Sequence, residues 1–152
     1  MSITQQGAID EMYGIAKAAI DAQAPTICGY APDVRYVGQP KADRPDQSKL
    51  WIRISSSVVL DDVAGIGTVF GSRLYEANGI LVIELFCPRN VAGSVNLFGL
   101  PLGEAIRSAY RVSETGREVW YIAPRLEQMP ETAEAYPIRV LVRFQYRTIT
   151  SV

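Results

Sequence analysis

Two apolar segments limit what this chain can become. Ile80-Leu81-Val82-Ile83-Glu84-Leu85-Phe86-Cys87 is an almost unbroken apolar run of strand length, stopped by Pro88-Arg89-Asn90. Residues 138–147 alternate instead: Ile138, Val140, Val142, Phe144 and Tyr146 share one face, and Arg139, Leu141, Arg143, Gln145 and Arg147 share the other. Between them Ala92-Gly93-Ser94 makes a loop, and 101–110 reads as a helix with Leu102, Ala105, Ile106, Ala109 and Tyr110 on one side. Upstream, Asn78-Gly79 is a turn dipeptide, so 73–87 is either a hairpin or a single bent strand.

The remaining segments complete the order. Ile9, Met12, Tyr13, Ala16, Ala19 and Ile20 recur at helical spacing over 3–22, and Ala24-Pro25 is expected to end that helix. A short β-like piece, Val34-Arg35-Tyr36-Val37, follows. Residues 38–49 hold one apolar residue, Ala42, beside two prolines and five charges, and read as an exposed, mobile loop. Leu50, Ile52 and Ile54 form one side of a strand that continues through 58–60 and ends at Asp61-Asp62. A loop holding Gly65, Gly67 and Gly71 comes next, and after the second helix there is a short strand at 119–122, a polar connector at 128–136 and the closing strand. The order α, β, β, β, α, β, β predicts an α+β fold: one domain over 1–152, with a mainly antiparallel sheet and two helices on one face. The other face must meet solvent or another subunit.

Chemistry is narrowed by what is missing. There is no histidine in the 152 residues, which removes Ser-His-Asp and Cys-His catalysis and most catalytic zinc sites. A net charge of −1 argues against a nucleic-acid binder, whose affinity rests on neutralised phosphates. Cys28 and Cys87 are isolated, which fits a reducing compartment. Neither a secretory signal nor an apolar run of membrane-spanning length is expected, so the chain reads as soluble and made in the cytoplasm. Gly65-Ile66-Gly67-Thr68-Val69-Phe70-Gly71 misses the dinucleotide spacing by one residue and lacks its strand–turn–helix setting, so it reads as a turn. Asp61-Asp62 reads as a solvated strand end. No cofactor or metal is expected.

Charged residues within strands are more informative. Glu84 interrupts an apolar strand and needs a partner, for which Arg53 or an arginine of the last strand is suited. Arg139, Arg143 and Arg147 form a stripe that either keeps a strand edge soluble or faces a neighbouring subunit.

Taken together, the N-terminal helix, Leu50-Trp51-Ile52-Arg53-Ile54, the run from Gly79 through Asn90 with a glycine soon after, the short helix and the close Phe144-Gln145-Tyr146 resemble the tail terminator (tail completion) proteins of long-tailed bacteriophages. The likeness covers most of 3–148. It implies a structural protein and no enzyme: a ring, usually six-fold, at the head-proximal end of the virion tail. Such a ring stops growth of the tail tube and offers a docking surface to the head connector or neck protein. Its partners would be further copies of itself, the tail tube protein and that connector. DNA would pass through the ring without sequence-specific recognition. Glu84, Arg139, Arg143 and Arg147 would serve subunit or partner contacts, and Lys41 and Arg44 of the loop would join them when it orders. Competing readings are another head–tail joining subunit, a small enzyme using carboxylates and arginines alone, and a host-encoded interaction module.

Backbone amides across 38–49 are expected to exchange with solvent almost as fast as an unfolded peptide's. Strong protection there, measured by hydrogen–deuterium exchange, would remove the mobile-loop expectation.

Overall fold

The apolar run at 80–87 lies inside a five-stranded sheet ordered β1-β2-β3-β5-β4. A computed structural model describes residues 3–39, 41, 43–66, 72–111 and 118–151. Its elements are α1 (Gln5–Cys28), β1 (Asp33–Tyr36), β2 (Trp51–Ile66), β3 (Ser72–Pro88), a π-helical turn (Val95–Gly99) leading into α2 (Leu100–Arg111), β4 (Val119–Gln128) and β5 (Ala135–Ser151). Only β1 and β2 run parallel; every other neighbouring pair is antiparallel.

The inward residues of the central strands make the core. Leu81, Ile83, Leu85 and Cys87 of β3 and Ile138, Val140, Val142 and Phe144 of β5 are all buried, flanked by Ile52 and Ile54 of β2. Both helices close this face. From α1 come Ala8, Met12, Ile15, Ala16, Ile20 and Ala24, and from α2 come Leu102, Ile106 and Tyr110. The Tyr110 hydroxyl donates to the Met12 carbonyl at 2.6 Å, tying the helices together, and the Tyr110 ring meets Tyr121 of β4 edge-on at 5.0 Å.

α1 starts where Thr4 accepts a hydrogen bond from the Gly7 amide at 3.0 Å. It does not stop at Ala24. Pro25 lies inside the last turn, and the helix closes at Gly29, whose left-handed backbone (φ 81°) lets its amide reach the Pro25 carbonyl. Proline deprives the Asp21 carbonyl of a donor, but Asp21 is exposed, so water can supply one.

The sheet also runs further than the sequence suggests. β2 does not end at Asp61-Asp62: both pair with β3, opposite Ala77 and Glu76, and Gly65 lies within the strand opposite Leu74. Gly67, Gly71 and the remainder of that glycine segment lie outside the described residues. β4 continues past Pro124 to Gln128, with a register shift and a positive φ at Ala123. An edge strand absorbs a proline, because the missing amide would have faced outward. The polar connector shrinks accordingly, since Ala135 and Tyr136 already belong to β5.

Asn78-Gly79 is not a turn. β3 passes straight through it, with Gly79 opposite both Val58 and Phe144. A Cβ at Gly79 would overlap the Phe144 ring and the Ser57 carbonyl. Glycine is there because an aromatic ring occupies the space a side chain would take. Gly79→Ala is expected to cost about 1–3 kcal/mol through overpacking. Gly14→Ala, in an exposed helical position with open space around it, should instead gain about 1 kcal/mol. Urea unfolding of the two variants checks both signs.

Candidate interaction surface

Strand alternation sends every second residue of the sheet away from the helices, and nothing among the described residues covers that side. Its residues form rows. Arg53, Glu84, Arg139 and Glu127 stand side by side on β2, β3, β5 and β4. Glu84 accepts from Arg53 through Nη2 at 2.9 Å and Nε at 3.1 Å. Arg139 is the register neighbour of Glu84 but turns to Glu127, at 2.9 Å. Of the two partners expected for Glu84, Arg53 makes the contact. These pairs are partly exposed, so each stabilises by no more than about 1 kcal/mol.

The arginine stripe is assembled as expected on one face, yet its members differ. Arg147 approaches Glu76 at 3.4 Å and lies 5.7 Å from the centre of the Trp120 ring. Arg143 is exposed between Ile80 and Ile122 and makes no ion pair among the described residues. Trp120, Tyr121, Ile122, Gln145 and Arg147 line a groove of about 480 Å³. Trp120, Ile122 and Ile80 are 45%, 38% and 37% exposed, a high fraction for side chains of this kind. At the far end of the face Trp51 stacks on Phe86 at 4.1 Å.

Sequence reading missed this apolar component. The signal was present in Val119-Trp120-Tyr121-Ile122, which is apolar at outward as well as inward positions, where a solvated strand would alternate.

Lys41 and Arg44 lie elsewhere. Both belong to the irregular connector between β1 and β2. Lys41 bonds Asp33 at 2.7 Å, and Arg44 reaches Glu134 at 2.8 Å, tying the connector to the segment before β5. Arg35 adds bonds to Asp33 and to the Asp43 carbonyl. The structure does not bring this cluster together with Glu84 and the arginine stripe. Pro40 and Ala42 lie outside the described residues.

Among the described residues, the two carboxyl groups whose titration is displaced, Asp33 and Asp46, are both displaced downward. The Lys41 ammonium, followed by Arg35, holds the Asp33 carboxyl below its ordinary value against an opposing effect of burial. Bonds from Ser48 lower Asp46. A general acid needs the opposite shift. Burial pushes the Cys87 thiol up to about 12 and also raises Cys28, so neither favours the thiolate. Among the described residues no group of three or more Cys, Asp or Glu side chains comes together as metal ligands.

A carboxyl made more acidic by folding contributes stability above its ordinary value of 3.8, and that contribution is lost as pH falls through the lowered folded value. By NMR titration Asp33 should have a midpoint below 3.8, and Lys41→Ala should move it upward. An unmoved midpoint would show that the Lys41 contact does not form in solution.

No protein-family model matches the chain, and no curated protein aligns with it.

Proposed function

We propose that this protein is a structural subunit that assembles into a ring, of about six copies, at the head-proximal end of a phage tail tube. The ring ends tube growth and presents a docking surface to the head connector. The observation that carries this reading is the uncovered sheet face. It combines the Arg53–Glu84 and Arg139–Glu127 pairs, an arginine without an ion-pair partner among the described residues, and exposed Trp120, Ile122 and Ile80. Such a mixture suits a protein contact: aromatic and arginine anchors supply affinity, and placed charges set register. The sequence resemblance supplies the identity of the assembly, and the α+β architecture with its helices on one side is compatible with it.

The work of such a subunit is binding without bond making. A closed ring needs a heterologous contact, in which one patch of each copy meets a different patch of the next. Arg143 and its neighbours are one patch; the connector between β1 and β2, carrying Lys41 and Arg44, is available at the opposite edge of the sheet. Release of that connector from its Lys41–Asp33 and Arg44–Glu134 pairs on arrival of the tube end would couple docking to assembly.

Negative-stain imaging of the protein with tail tubes tests the reading. End-bound rings and shorter, more uniform tubes are expected. Tubes that keep growing, with no density at their ends, would overturn it. Arg143→Glu should keep the wild-type melting profile while losing about tenfold or more in tube-end binding. Unchanged binding would remove Arg143 from the contact.

A further inference from the structure

The order of charges on the uncovered face has a symmetry. Across β2, β3, β5 and β4, Arg53, Glu84, Arg139 and Glu127 alternate plus, minus, plus, minus. Reversing the row gives minus, plus, minus, plus. Consider a second copy turned by a half-rotation about an axis parallel to the strands and midway between β3 and β5, then laid face to face on the first. Its β5 lies over β3 and its β4 over β2. Each charge of the row then meets its opposite. Val82 meets Leu141, the next outward pair along the same two strands. A half-rotation about the row itself would set like on like, and is excluded.

Any attractive cross-strand pair has this property in principle. It is without consequence where a second layer covers the face. Here neither helix does, and half-buried Val82, Phe86 and Trp51 flank the row on either side, giving apolar area to bury.

We propose that this face docks on a second copy of the same chain across that two-fold axis, forming an isologous dimer. Strands of the two sheets would lie about 30° apart and the sheets about 10 Å apart, as in other face-to-face packings. The occupant is the chain itself because its charge order is complementary to its own reversal. This inference stands apart from the ring. A two-fold dimer buries the face that a ring neighbour would use, so it is a closed resting form that the tube end must open.

Light scattering after size exclusion, over a concentration series, is the test. The wild-type protein is expected at twice the chain mass of 16.7 kDa, dissociating as salt is raised. Glu84→Arg and Arg139→Glu each set like charges against one another, so each alone should self-associate about tenfold or more weakly. Mixed in equal amounts, the two variants should recover the dimer, since the reversed charge at 84 then meets the reversed charge at 139. Circular dichroism melts confirm that both are folded. Arg53→Glu with Glu127→Arg, the other facing pair of the row, gives an independent pair with the same expected rescue, should either first variant fail to fold. A wild-type monomer up to the solubility limit, or folded variants that do not rescue one another, overturns the two-fold contact. A free species of about six copies also overturns it while leaving the ring reading in place.

Discussion

The antiparallel ladder between β3 and β5 is the interaction on which everything else depends. Seventeen consecutive pairs, from Ser72↔Ser151 to Pro88↔Ala135, join the two longest strands without a register break. One face of the ladder supplies the centre of the core, where Leu81, Ile83, Val140 and Val142 are fully buried. Its other face carries the charged row. β2 and β4 attach to its two sides, and both helices pack on it. A shift of one residue would exchange the two faces of a strand, so the apolar alternation of β5 fixes core and interaction surface in one step.

Much of this was legible in the chain. The alternation over 138–147 set Ile138, Val140, Val142, Phe144 and Tyr146 on one face, which the structure buries, and the order of helices and strands is the one found. What could not be read were the places where a local breaker is outweighed by its surroundings. Pro25 sits in an exposed final turn, Pro124 on an edge strand, and Gly79 beneath an aromatic ring. Each residue has a cost that can be estimated in isolation, but what offsets it (solvent at Asp21, an outer edge at Pro124, the Phe144 ring at Gly79) depends on the folded surroundings. The charged row was half legible. Glu84 announced its need for a partner, yet choosing Arg53 over Arg139 required the register of three strands and the presence of Glu127 on a fourth.

The electrostatics of the exposed face are modest pair by pair and matter through their arrangement. Exposed ion pairs contribute little to folding, so this row can be altered without unfolding the protein, and it is free to encode contacts. The absence of histidine has a related effect. No side chain with an ordinary titration near neutrality is available to alter the face's charge, so its charge pattern is constant across the physiological pH range.

The sheet order has a consequence for synthesis. β5, which follows the other four strands along the chain, is an interior one, inserted between β3 and β4. A chain emerging from the ribosome can form α1 and the β2–β3 pair early, but β3 keeps one edge open until β5 arrives. The pairs that complete the ladder lie 47 to 79 residues apart along the chain, and closing them costs more loop entropy than closing the β2–β3 pair. Until then the nascent protein presents an unpaired, strongly apolar strand, the species most prone to adhere to its siblings on the same message. Sparse translation would protect such a chain better than any feature of its folded surface.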